Sequence, residues 1–393
     1  MPELTEAGST ERQIVEILLA EGPATRLALQ QRLGVSRPTL SGAVTRLMGR
    51  GLLEETGMAA YGEGRNGRPQ ALLAPRRSAG AALGIELGRA RVAVTVTTVD
   101  GTIHAQKLTT VDSGLSIQKR LGVALHSLRT LISAGVLNPS SVLGTGIGIA
   151  GRHLSYAVDV RGGTTDPEGV SFEKLRKLVP APVLWDNNTQ LAAVRHLGEL
   201  TSGVGRAGLL YVVLSTGISA GIVDGASTFR GGHGTAGELG HMCVDPAGPS
   251  CWCGSRGCLE ACIGLDVVIE RARAAGLRVD DISRLAVLAN DGDAAARHLV
   301  TEVGRILGIA LSGASMLIDP RRIILSGKLA SLGQRLLDAA EREVNERRDA
   351  VMLPRPELIL HEGSEFDASH GAALSALHRW GANFMFKTQS PDH

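Results

Sequence analysis

All five cysteines of the chain, Cys243, Cys251, Cys253, Cys258 and Cys262, fall within one stretch, GHMCVDPAGPSCWCGSRGCLEAC. A disulfide framework spreads its bridges over a fold, so thiols crowded into one short segment point to metal instead. His241, Cys251, Cys253 and Cys258 offer one imidazole and three thiolates. Soft sulfur plus one nitrogen is a tetrahedral zinc set, and four protein ligands leave no open position for an activated water. The expected ion is therefore structural, clamping a long loop in which no regular secondary structure is apparent. Cys243 and Cys262 are expected to be buried small apolar residues.

The segment before residue 77 has a different texture. ERQIVEILLAEGPAT sets Ile14, Val15, Ile17 and Leu18 at helical spacing, closed by Gly22-Pro23. A second helix is expected over Arg26 to Leu33, a tight turn at Gly34-Val35, and a third helix capped by Ser36 with Pro38 in its first turn. Helix, short glycine turn, helix is the helix-turn-helix pattern. Its second helix would present Ser36, Arg37, Thr39, Ser41, Thr45 and Arg46, a small, polar and basic set suited to base edges and phosphates in a major groove. Leu52–Glu55 and Pro69–Leu73 can pair as a wing, with Arg65 and Arg68 at a glycine-rich tip shaped for a narrow minor groove.

From Ala79 onward β-branched runs enter glycine turns and alternate with helices. GAALGIELGRARVAVTVTTVDGTIHAQKL reads as three strands with a hairpin turn at Asp100-Gly101. The expected fold is α/β: an N-terminal winged helix-turn-helix over residues 1–77, then a two-lobed α/β domain over 78–393 with a disordered tail from about 382. A chain of 393 residues is ample for such cores, and its net charge of +2 excludes a global field for nucleic acid, leaving the local basic patches. The chain opens without a charged n-region and apolar h-region, and no run reaches ~18 apolar residues, so no membrane role and a cytoplasmic location are expected.

The run GELGH, followed by CWCGSRGCLE ten residues after its histidine, resembles the ROK family (repressors, open reading frames, sugar kinases), and the similarity extends over about Gly80 to Trp380. The resemblance implies an actin-like two-lobed sugar kinase fold and zinc on His241, Cys251, Cys253 and Cys258. It also implies a sugar between the lobes, held by Asn187, Asn188, Glu238, His241 and Glu260. A hexose offers hydroxyls that both donate and accept, which carboxylates, amides and an imidazole can answer.

In kinases of that family the strand end reads Asn-Asp, and the Asp takes the proton from the attacking hydroxyl. Here VLWDNNTQ places Asn188 there, and an amide has no basic site at neutral pH, so a step worth ~10²–10⁴ in rate is lost. The phosphate loops depart too. GIELGRARV sets Glu86, Gly88, Arg89 and Ala90 where Asp-x-Gly-Gly-Thr is usual, and STGISAG carries Ser215, Ser219 and Ala220 in a glycine-rich position. SGKLASLG, Ser326 to Gly333, only partly matches the family's adenosine loop. The expectation is a non-enzymatic, sugar-responsive transcription regulator, a repressor, that binds a two-fold double-stranded operator as a homodimer or homotetramer. Its competitors are an ATP-dependent hexose or N-acetylhexosamine kinase, possibly bifunctional, and a regulator with a vestigial sugar site controlled by a protein partner.

Overall fold

A computed structural model describes residues 6–58, 70–150, 157–159, 170–196, 208–224 and 227–387. The chain forms two compact units, Met1–Gly203 with Glu365–His393, and Val204–Ser364.

The head of the first unit comprises α1 (Glu6–Glu21), α2 (Arg26–Leu33) and α3 (Arg37–Gly49), with β1 (Ala24–Thr25), β2 (Leu53–Met58) and β3 (Ala71–Pro75) in a small sheet of order β1-β3-β2. Local chemistry sets these limits. Thr25 accepts from the Ala28 N–H to cap α2, Gly34 closes it at φ 65°, and Ser36 accepts from the Thr39 N–H to cap α3. The wing strands pair antiparallel, Leu53 opposite Pro75. Arg65 and Arg68 lie outside the described residues.

The rest of the unit is a six-stranded sheet of order β6-β5-β4-β7-β9-β8. Its strands are β4 (Ala81–Leu87), β5 (Arg91–Thr98), β6 (Ile103–Thr110), β7 (Val142–Ile149), β8 (Ala157–Asp159) and β9 (Val183–Asn187). The β5–β6 hairpin turns at Asp100-Gly101, with Gly101 at φ 80°. On one face Ile85, Val94, Ile147 and Val183 pack with α4 (Ile117–Ser133) and α5 (Glu173–Leu178). The other face meets α6 (Asn188–Arg195) and α12 (Asp367–Lys387).

This second face is lined by glycine for a steric reason. A β-carbon at Gly84 would run into the Ser369 carbonyl, and one at Gly146 into the Ala372 carbonyl. Helix backbone thus lies directly on strand backbone. Buried Thr95 and Ser369 hydroxyls hydrogen-bond at 2.7 Å across the same seam.

Helix α12 then continues into the head. Leu377 and Ala382 share a core with Ile14, Val15, Leu18, Leu29 and Leu47 of the three head helices. The segment expected to start a disordered tail at 382 is instead helical to Lys387, and Ala382 is buried. An apolar cluster contributed by the head is what orders it, which local sequence does not reveal.

The second unit holds a five-stranded sheet, β12-β11-β10-β13-β14. Its strands are β10 (Leu209–Leu214), β11 (Ile218–Asp224), β12 (Ser227–Thr228), β13 (Arg322–Ser326) and β14 (Glu357–Leu360). Its helices are α7 (Leu259–Ile263), α8 (Leu265–Ala274), α9 (Ile282–Asp291), α10 (Ala294–Ile318) and α11 (Gln334–Asp349). By length and composition α10 is apolar enough to cross a membrane. Here its Val300, Val303, Leu307 and Leu311 form the centre of the unit's core, against Leu336 and Ala340 of α11.

The seam between α1 and α12 yields two expectations. Leu377→Ala should destabilise the protein by ~2–5 kcal/mol, with head and first lobe lost in one urea transition followed by circular dichroism. His378 is hydrogen-bonded to the Leu19 backbone, and burial lowers its pKa from 6.5 to about 4. The unfolded chain therefore takes up this proton first, so stability should fall as pH drops from about 6.5 towards 4. Urea midpoints measured across that range should flatten in His378→Asn.

Candidate functional site

Two groups of expected site residues stand on different units. In the first unit, β9 ends at Asn187 opposite Ile149 of β7, and α6 begins at Asn188. Asn187 caps the helix, its Oδ1 accepting the Thr189 N–H at 2.8 Å. The buried Asp186 carboxylate accepts the Asn187 N–H at 2.8 Å. Because Asn188 is already helical, strand alternation stops before it, and 186 and 188 do not share a strand face. Asn188 Oδ1 is buried over Gly148, where any β-carbon would collide with it.

The departed phosphate loop sits on the β4–β5 hairpin. Glu86 is buried and pairs with Arg91 at 3.2 Å. Burial pushes its carboxyl above the usual range, although the Arg91 charge pulls it back. Glu86 is thus engaged in an internal ion pair on this hairpin. In the second unit Ser219 and Ala220 lie within β11, opposite Val213 and Val212, so the glycine-to-larger changes are absorbed by a regular antiparallel ladder.

The cysteine loop is held by its own backbone before any ion is considered. Cys251 N–H donates to the Ser255 carbonyl at 2.7 Å, Gly257 N–H to Pro249 at 2.8 Å, and Val244 N–H to Gly257 at 2.8 Å. Gly257, at φ 66°, leaves no space for a β-carbon beside the Asp245 carbonyl. Isolated bridges pair Cys243 with Cys258 and Ser250 with Arg256, so the loop has more regularity than its sequence suggests.

His241, Cys251, Cys253 and Cys258 bring four donor atoms within 4.8 Å of one another. His241 Nδ1 lies 3.7 Å from Cys251 Sγ, and Cys253 Sγ lies 3.6 Å from Cys258 Sγ. A tetrahedron with sulfur arms of ~2.3 Å has edges of about 3.7 Å, so the donor set fits an ion of zinc's size. A backbone hydrogen bond from Ser255 draws the Cys253 thiol down to about 6, whereas burial pushes Cys258 up to about 12. A divalent cation bound there would hold both as thiolates. Of the two remaining cysteines, Cys262 is buried in the core as expected. Cys243 is exposed, because it lies at the rim of the bridge with Cys258.

With Nδ1 towards the sulfurs, His241 turns Nε2 to Glu238, 3.9 Å from its Oε2 and beyond direct hydrogen-bond reach. Glu260 Oε2 accepts the Ile218 N–H at 2.9 Å. Its Oε1 accepts from the Trp252 indole, which also meets His241 edge-on with centroids 5.3 Å apart. Glu238, His241 and Glu260 are thus gathered around the metal loop. Trp252 was not among the residues expected from sequence, though a tryptophan between two ligand cysteines in an aromatic-poor chain is a readable signal.

On the head, Ser36, Arg37, Thr39, Ser41, Thr45 and Arg46 are all exposed, while Leu40, Ala43, Val44 and Leu47 face inward. Arg46 is not a simple phosphate contact. It pairs with Glu11 at 2.5 Å, and Glu11 also takes Arg50 at 3.1 Å. That buried carboxylate comes from α1, which no spacing along α3 discloses.

Comparison with known proteins follows the same division. The family model described as ROK family matches residues 82–378, and one described as winged helix-turn-helix DNA-binding matches residues 9–54. The xylose repressor of Bacillus spizizenii is 26% identical over 344 residues, 86% of each chain. A crystal structure of a ROK family transcriptional regulator, a homologue of the Escherichia coli MLC protein, shares the fold. Its TM-score is 0.72 at 21% identity, over 97% of this chain and 98% of that one. The ROK hexokinase from Thermus thermophilus matches with TM-score 0.60 at 27% identity, over 75% of this chain and 97% of its own.

Replacing one sulfur tests the loop. Cys258→Ser should lower bound metal from about one equivalent to near none by elemental analysis, and depress the melting temperature.

Proposed function

The chain belongs to the ROK family, and from that membership we propose that it is a sugar-responsive DNA-binding repressor whose kinase-like part holds a sugar without phosphorylating it. The observation that carries this reading is the pairing, on one chain, of an exposed helix-turn-helix surface with a hydroxyl-binding set that has Asn188 in place of a base. The xylose repressor relative supports the regulatory half.

The amide of Asn188 can position a hydroxyl but cannot take its proton. The Glu86–Arg91 pair supports the same reading from the nucleotide side. Zinc on His241, Cys251, Cys253 and Cys258 would have a structural role, fixing the imidazole tautomer so that Nε2–H is directed outward. Acting in the cytoplasm, the protein would read a two-fold double-stranded operator as a homodimer or homotetramer, with Arg37 and its neighbours on base edges and Arg65 and Arg68 at the wing.

A path from ligand to reading head runs within the first unit. Gly371 of α12 rests on the Leu191 backbone of α6, the helix that starts at Asn188. Farther along the same helix, Leu377 packs into the core of the head. A ligand that prefers one setting of α6 would therefore bias α12, and through it the head. Full reversal of occupancy requires ~10⁴-fold preference for one conformer, and partial control much less.

Arg37→Ala should weaken operator binding roughly 5- to 150-fold, the equivalent of ~1–3 kcal/mol, in a gel shift at fixed salt. The wild-type shift should change with a neutral sugar. Absence of operator binding under every sugar condition would remove the regulatory reading. Sugar phosphate accumulating with nucleotide at enzyme-like speed would remove the non-catalytic one.

A further inference from the structure

The chain has three tryptophans, and two of them, Trp185 and Trp380, are 2% and 8% exposed. Trp252 is 66% exposed. A lone surface aromatic is unremarkable when it is loose. This one is held by its chain neighbours, a hydrogen bond and a ring contact. Its chain neighbours Cys251 and Cys253 belong to the four-donor cluster. Its indole N–H donates to Glu260 Oε1, and His241 meets the ring at an interplanar angle of 78°. The ring is thus fixed beside two members of the hydroxyl-binding set with most of its surface left to solvent.

We infer that Trp252 is a stacking platform that narrows the ligand to an uncharged aldopyranose with equatorial hydroxyls, its C–H face on the indole and its hydroxyl edge on Glu260. The inference rests on the sugar reading of this site. An aromatic face carries negative charge density and attracts the weakly positive C–H bonds that an all-equatorial pyranose presents on its faces. An axial hydroxyl on that face would be pressed against the ring without a partner. Ionised Glu260 has about four lone-pair sites. The Ile218 N–H and the Trp252 N–H take one each, and the remaining sites suit hydroxyl donors. A phosphate or carboxylate on the sugar would meet the Glu238 and Glu260 charges and be repelled. The Trp252 N–H also positions the Glu260 carboxylate, so the residue contributes both a surface and an orientation.

The test titrates the full-length protein, W252F and W252A with xylose, glucose, galactose and glucose 6-phosphate, by calorimetry and by tryptophan emission. Wild type should bind xylose or glucose with a change in emission, and galactose and glucose 6-phosphate at least about tenfold more weakly. W252A should lose about tenfold or more in affinity and the emission change, with metal content and melting temperature unaltered. W252F, which keeps a face but lacks the N–H, should fall between. Wild-type affinity in W252A would overturn the platform and leave sugar binding standing. Equal affinity for glucose 6-phosphate would overturn the neutral class. No sugar binding by the wild type at all would overturn the sugar reading itself, and this inference with it.

Discussion

Backbone laid on backbone is the constraint from which the first unit takes its form. Gly84 and Gly146 open the sheet face, and the Ser369–Ala372 turn of α12 occupies the space. Once seated there, that helix has one direction available, and its later residues reach the apolar side of α1. The ends of β7 and β9 are fixed by the same contact, because α6 is squeezed between them and Gly371. Larger side chains on this face would lift the helix and loosen its contacts with both α6 and the head.

In the second unit the corresponding organiser is the loop that gathers the donor atoms of His241, Cys251, Cys253 and Cys258. Its consequences spread along the chain in both directions. His241 is oriented towards Glu238, Trp252 towards Glu260, and α7 starts directly after Cys258, its N-cap. A loop with little apolar content can therefore position Glu238, His241 and Glu260 without a core of its own.

Much of this was legible in the sequence where short-range chemistry decides. Thr25, Gly34 and Ser36 mark the limits of α2 and α3, Asp100-Gly101 marks its hairpin, and the spacing of His241 and three cysteines names the donor set. What escaped was decided at long range. Arg46 stands on the outer face of α3 as its period requires, yet its carboxylate partner Glu11 comes from another helix. The helical continuation beyond Ala382 depends on apolar residues at the opposite end of the chain. The short strand β14, on which sequence offers no reading, is held by its parallel ladder with β13. Arg65 and Arg68 remain sequence readings, since they fall outside the described residues.

The shared core under α1 has a consequence for the order of manufacture. Leu377 follows Leu18 by roughly 360 residues, which at ~5–20 residues per second means a delay of roughly 20–70 s on the ribosome. Over that interval Ile14, Val15 and Leu18 have no lid. The part of the protein that emerges first is completed last, and a chain ending before Leu377 would leave that flank of α1 open.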